Sequence, residues 1–469
     1  MKILLTGATG YIGKRLLPVL VENGHEVVCC VRDLNRFNIP QSLKLKVSAI
    51  EVDLSNLTSL SKIPQEIEAG YYLVHSMAKK DYLKTELDCA VNFRESLAKT
   101  NIKHLIYLSG IVNEKTLSKH LISRRNVEQE LSTGKYNFTS IRSGIIIGAG
   151  SASFEIIRDL VEKLPIMVAP KWLLTRSQPI AISDVIKILN KTLDNSKTFN
   201  KNFDIGGPEI ISYKDILIRY SSLRGLQRRI FIVPVMTPKL SSYWLYFVTS
   251  TAYNLAVSLV ESMKVEVVCR DKSLENSLSL KTISYEKSLQ NAFKKIEANE
   301  IISSWKDALI SDHFNVSDFI NVPKYGCVND TRKEKFDNRK DCVNRIWKIG
   351  GENGWYYANW LWRFRGFLDK LIGGVGLRRG RTNKTKLISG DALDCWRVLY
   401  SNKEEGKLLL FAEMKLPGEA WLEFKILDDE LIQTATFRPK GLLGRLYWYS
   451  VVPLHAIIFN GMIKKLSKG

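Results

Sequence analysis

The run Thr6-Gly7-Ala8-Thr9-Gly10-Tyr11-Ile12-Gly13 follows a short apolar stretch, Lys2–Thr6, and opens an amphipathic stretch, Tyr11–Glu22, with Gly24 as its expected stop. A strand, a glycine-rich turn and a helix in that order strongly restrict what the chain can build. Gly7 permits a tight turn, Gly10 lets the backbone approach a pyrophosphate, and Gly13 lets the helix pack close to the strand. The helix N-terminus adds unpaired N–H groups and a partial positive charge. Thr6, Gly7, Thr9, Gly10, Tyr11, Ile12 and Gly13 are therefore expected to hold a dinucleotide. A glycine-rich turn without a ligand is the plainer alternative.

The surrounding pattern supports the dinucleotide. Glu26–Val31, Val47–Val52, Tyr71–His75, His104–Ser109 and Phe138–Ile141 are short apolar runs of the kind that form buried parallel strands. Strands alternating with helices over residues 1–150 predict an α/β fold, a doubly wound parallel sheet of Rossmann type. The second strand ends Cys29-Cys30-Val31-Arg32-Asp33. An NAD site usually has an acid there for the ribose 2′-hydroxyl. Val31 occupies that place and Arg32 follows, which suits a 2′-phosphate, so NADP is expected, with NAD retained because Asp33 is one residue away. Asp53 either meets the adenine or caps a helix.

At 469 residues the chain should form two or three domains. Its pattern changes near residue 325, which divides residues 1–325, with a substrate subregion at about 151–300, from 326–469. In the latter, Lys407–Lys415, Glu419–Leu427 and Leu431–Arg438 are strand-like runs joined by short polar turns, and a helical stretch follows Gly441. This predicts a separate α+β domain. Seven of the ten tryptophans lie there, including Trp355, Trp360 and Trp362. They suit either a core or an apolar pocket between sheet and final helix; such a pocket is the expectation.

Seven cysteines without a C-x-x-C pair argue against a disulfide framework and a zinc site, and point to a reducing cytoplasm. The N-terminal apolar run is too short for a signal peptide. Residues 244–263 and 446–463 are apolar but interrupted by polar residues, which argues against spanning helices. The net charge of +21 is densest in the C-terminal third, where Arg378, Arg379, Arg381, Lys384 and Lys386 form either a solvated loop or a contact for lipid headgroups. A peripheral membrane contact follows from the second reading. No nucleic-acid signature accompanies the charge.

The spacing TGxxGxxG, with Tyr72-Leu73-Val74-His75-Ser76-Met77, Leu108-Ser109-Gly110, Gln178–Val185 and Phe203–Pro208, resembles the extended and atypical short-chain dehydrogenase/reductases. Gly350–Ala358 and Pro417–Leu422 resemble a bacterial family that fuses an NmrA-like NAD(P)-binding domain to a domain of unknown function, itself similar to START/Bet v 1 helix-grip folds. The resemblance implies a helix-grip-like C-terminal domain, and adds Leu54, His75 and Ser76 to the cofactor site. It also implies Ser109 as a catalytic serine. The family's Tyr-x-x-x-Lys pair is replaced by His120 and Arg124, whose i, i+4 spacing shares a helix face. His120 is expected to donate a proton near neutrality and Arg124 to anchor the ribose. Both could instead decorate an exposed helix.

Three functions follow. The first is an NADPH-dependent reductase for a small hydrophobic substrate held with help from the C-terminal domain. The second is a non-catalytic NADP(H) sensor or scaffold of NmrA type. The third is a lipid- or quinone-handling protein at a membrane face.

Overall fold

The computed structural model describes residues 1–32, 34, 37, 39, 43–75, 82–112, 117–233, 257, 260–270, 272–297, 322, 327–372, 374–377, 381, 386–468. The chain divides into two compact units, Met1–Asp312 and His313–Gly469.

The first unit is built on seven strands: β1 (Lys2–Thr6), β2 (Glu26–Val31), β3 (Val47–Glu51), β4 (Ala69–Tyr72), β5 (His104–Gly110), β6 (Asn137–Ser143) and β7 (Lys201–Ile205). They lie in the order β7-β6-β5-β4-β1-β2-β3, all parallel. Buried Val, Ile, Leu, Tyr and Cys side chains fill both faces, as expected of a sheet covered by helices on each side. The order reverses between β1 and β4. Ligands of such sheets bind in the crevice outside the strand ends at that reversal. The fourth strand begins two residues earlier than its apolar run suggested, so His75 lies beyond its end.

A buried histidine ties β5 to β6 and gives the unit an acid sensitivity. The His104 Nδ1 accepts from the Asp194 N–H at 3.1 Å, so Nε2 carries the proton and meets Thr139 Oγ1 at 2.9 Å. Burial pushes His104 down to about 4. Its folded pKa lies below its unfolded value, so the unfolded chain gains a proton first as pH falls. Stability is full above about pH 6.5 and declines towards pH 4, by on the order of 3 kcal/mol from this residue. Urea midpoints at pH 7 and pH 5 should show the loss, and it should shrink in His104→Asn.

The second unit starts with β8 (Val328–Lys335), continues through helices Arg339–Ile346 and Asn359–Leu371, and then runs β9 (Ala392–Leu393), β10 (Trp396–Asn402), β11 (Lys407–Ala412), β12 (Gly418–Leu427), β13 (Glu430–Pro439) and a long helix, Gly441–Lys468. The antiparallel sheet has the order β8-β13-β12-β11-β10-β9, so the first and last strands are neighbours. The three expected hairpin strands are present. Between sheet and final helix, where an apolar pocket was expected, the described residues pack into a core. Trp355 stacks on Trp362 at 4.8 Å and donates Nε1–H to Asp394 at 2.9 Å. These rings join Phe424, Phe459, Met462 and Leu466 in a buried core. The indoles fill the space that a ligand would need.

Candidate active site

The glycine loop is a cradle that side chains would fill. A Cβ on Gly13 would lie 2.3 Å from the Gly7 carbonyl oxygen. One on Gly7 would lie 2.7 Å from the Leu73 oxygen, and Gly7 holds φ +68°. The Gly10 N–H closes the turn onto the Gly7 carbonyl at 2.9 Å. Helix α1 (Gly13–Glu22) begins with no side-chain cap, and its Lys14, Arg15 and Leu16 N–H groups already bond to the Gly10 and Ile12 carbonyls, so a ligand would meet the N–H groups of Tyr11, Ile12 and Gly13 just before them. Arg15 braces the loop from below: its guanidinium stacks 3.8 Å over the Tyr11 ring, donates to Tyr11 O at 2.9 Å, and reaches Ala149 O at 3.0 Å. The arrangement fits a dinucleotide pyrophosphate.

Other expected cofactor residues divide. Arg32 follows β2 directly and is exposed at the end of the strand, where a ribose would lie. Asp53 caps its own turn, accepting from Ser55 N at 2.9 Å, while Asn56 caps the helix that follows, so the helix-cap alternative for Asp53 is corrected. Two assignments need correction. The Thr6 hydroxyl is buried and sews β1 to β4, donating to Tyr71 O and accepting from Leu73 N, so it is closed to a ligand. The Leu54 side chain belongs to the core. Ser76 lies outside the described residues, as do Asp33, Arg378, Arg379 and Lys384.

At the strand ends, a cavity of about 410 Å³ opens between the glycine loop and the subregion after β6. Its near wall carries Tyr11, His75, Ser109, His120 and Arg124. Its far wall is apolar, with Ile156, Leu160, Met167, Leu173, Leu217 and Met263. One buried donor without a partner, the Trp172 indole N–H, interrupts that apolar wall. Two later landmarks, Gln178–Val185 and Phe203–Pro208, brace each other: Gln178 Nε2 donates to Gly207 O at 2.6 Å.

The near wall is a connected polar array. His120 and Arg124 sit one turn apart on helix Lys119–Leu131, capped by Ser118, and both line the cavity rather than the solvent face. Arg124 donates to Leu108 O at 3.1 Å. His75 Nδ1 lies 2.7 Å from Glu86 Oε1, and the Ser123 hydroxyl donates to the other oxygen of Glu86. The His75 and His120 rings pack at 4.6 Å. Burial opposes ionisation of Glu86, but the hydrogen bonds from His75 and Ser123 and the Arg124 charge outweigh it and hold the carboxyl below the usual range. Burial, with Arg124 nearby, lowers His75 despite that carboxylate. The imidazole is therefore neutral at pH 7. Its Nδ1–H faces Glu86 and its Nε2, buried without a partner, carries the lone pair. His120 is held well below the usual imidazole range by burial, then by His75 and Arg124. The expectation that His120 is an acid poised at neutrality is thus corrected: desolvation keeps it neutral. Burial pushes the Tyr11 phenol up to about 12.

Glu86 was missed in the sequence, and a signal for it existed. Glu86, Ala90, Phe93 and Leu97 fall on one stripe of helix Tyr82–Leu97, and all four are buried. A carboxylate on such a stripe needs a partner.

Comparison with known proteins bears on this geometry. Residues 3–114 match the NAD dependent epimerase/dehydratase family. Residues 328–462 match a family described as a protein of unknown function, DUF2867. The Photosystem II assembly factor Ycf39 of Trieres chinensis is 23% identical over 248 residues, 52% of this chain and 75% of that protein. The chloroplastic divinyl chlorophyllide a 8-vinyl-reductase of Arabidopsis thaliana is 22% identical over 226 residues, 44% of this chain and 54% of that protein. Among solved structures, the triphenylmethane reductase of Citrobacter sp. has a TM-score of 0.51 at 15% identity, covering 63% of this chain and all of that one. The first unit thus has a Rossmann fold, and over residues 3–114 it is similar to the NAD dependent epimerase/dehydratase family.

Proposed function

We propose that the chain is an NADP(H)-dependent oxidoreductase acting on a small hydrophobic substrate. The observation that carries this reading is the cavity that joins the glycine loop and the Glu86–His75–His120 array to an apolar chamber. Reductases among the similar proteins support it. Pockets of a few hundred Å³ with few polar groups suit small apolar ligands.

When bound, the nicotinamide would supply or accept the hydride. The chain's own residues do the rest. Backbone N–H groups of the glycine loop would hold the pyrophosphate, and Arg124 would supply a positive charge for the ribose end of the site. The Glu86 carboxylate fixes His75 with Nε2 towards the cavity. That nitrogen accepts a proton from a substrate hydroxyl during oxidation and returns it during reduction. Ser109, which lines the cavity, would hold the substrate oxygen, and the apolar far wall would exclude water. Steady-state turnover of NADPH with a panel of apolar carbonyl and quinone compounds tests the reading. Cofactor oxidation that favours polar sugars would overturn it.

The NADP preference rests on Arg32. In Arg32→Ala, the affinity for NADPH should fall by about 1.5–3 kcal/mol, the strength of a hydrogen bond to a charged group, while NADH is unaffected. Parallel fluorescence titrations decide it; equal losses for the two cofactors would remove the 2′-phosphate contact.

We also read the second unit as helix-grip-like. Its order of one strand, two helices, five antiparallel strands and a long helix supports this. Its closed tryptophan core argues that it acts by something other than enclosing a ligand there.

A further inference from the structure

Two touching helices of the second unit turn apolar faces outward. On Asn359–Leu371 and the residue after it, Trp360, Phe364, Phe367, Leu368, Leu371 and Ile372 are all exposed. On Gly441–Lys468, Leu443, Leu446, Tyr449, Val452, Leu454 and Ile457 are exposed, with Tyr449 at 72%. Trp362 meets Phe459 at 6.4 Å and the Arg365 guanidinium lies 5.6 Å from the Tyr447 ring centroid, so the helices adjoin. Surface helices normally present polar residues outward, and apolar patches of this kind mark a binding surface.

We infer that this double-helix face docks on an anionic lipid bilayer. The charge pattern selects that occupant. The long helix contains no acidic residue, and the single acid of the shorter one, Asp369, is buried and accepts from Gly376 and Lys415 N–H groups. The exposed charges between the apolar side chains are Arg363 and Arg445. Arginine stems extend along apolar surface while the heads reach phosphate, and Trp and Tyr settle at the headgroup level. The face lies on the membrane rather than crossing it. From Phe459 onward the long helix is locked in the domain core by Phe459, Met462, Ile463 and Leu466. The stretch that carries the exposed face, Leu443 to Ile457, is itself held to the sheet by buried Trp448, which stacks on Phe437, and spans about 22 Å at 1.5 Å per residue, short of a hydrocarbon core of roughly 30 Å. A basic amphipathic face of that length binds at the interface.

Flotation of the full chain with vesicles of phosphatidylglycerol and phosphatidylethanolamine, against phosphatidylcholine alone, tests the inference. The expected result is capture by the anionic vesicles and weak capture by the neutral ones. Phe364→Asp with Leu446→Asp should lower vesicle affinity roughly tenfold or more, and Arg363→Ala with Arg445→Ala should erase the preference for anionic lipid. All these side chains are exposed, and unchanged melting temperatures would confirm that the variants fold. Wild-type protein that stays unbound, or binding that survives both double variants, overturns the inference. A dimer in light scattering that the aspartate variant dissociates, with no vesicle capture, assigns the face to a second copy instead.

Discussion

Gly13→Ala should cost at least about a hundredfold in nicotinamide dinucleotide affinity, or roughly 2.7 kcal/mol. The added Cβ would meet the Gly7 carbonyl oxygen at 2.3 Å and the Ala8 Cα at 2.9 Å. Both are backbone atoms, so no side chain can swing away. Helix α1 must retreat from the loop, and the backbone N–H groups at its start are displaced with it. Gly24→Ala is the matching control. Gly24 also has positive φ, at +88°, but nothing lies within 4 Å of a Cβ there. That variant should lose about 1 kcal/mol of stability and keep its cofactor affinity. Quenching of protein fluorescence by NADPH reads both. Equal affinities in wild type and Gly13→Ala would show that the loop does not hold the dinucleotide.

The second large effect belongs to the proton path. His75→Phe should reduce turnover by about 10²–10⁴, the usual worth of a positioned acid or base. Glu86→Gln should act differently. The Glu86 charge raises His75, while burial and Arg124 lower it. Without the carboxylate the imidazole pKa falls further, and protonation needs a lower pH. For oxidation, which needs the neutral ring, the acid limb of the profile therefore moves to lower pH, below about 6.5. For reduction, which needs the protonated ring, the rate near neutrality shrinks and recovers only on further acidification. Rate profiles in both directions decide it. Turnover that survives His75→Phe with an unmoved profile would shift the proton to Ser109 or to solvent.

Where the amino-acid pattern is local, the fold could be read from it. The glycine spacing, the apolar strands and the three C-terminal hairpin strands all rest on short-range rules, and their residues lie within a few positions of expectation. Non-local features escaped. The strand Val328–Lys335 is mostly charged and alternates half-buried with exposed residues; it exists because its backbone pairs with Glu430–Pro439, a hundred residues later. The tryptophan cluster could not be assigned by composition, since core and pocket use the same rings. Only the contacts of Trp355 with Trp362 and Asp394 decide for core. In the site, the His120 and Arg124 spacing was legible because a helix repeats. The pairing of Glu86 with His75 joins two elements through the sheet, and the desolvation that keeps both imidazoles neutral is a property of the closed fold.

Arg15 gives the two halves of the cleft a common hinge pin. One guanidinium grips the Tyr11 carbonyl of the phosphate loop and the Ala149 carbonyl of the segment beside the apolar chamber, while Tyr11 itself lines the near wall of the cavity. A dinucleotide bound at the loop would therefore bear, through Arg15, on the segment beside the chamber. Ordered addition, dinucleotide first and apolar reactant second, is the expected result, and product-inhibition patterns check it.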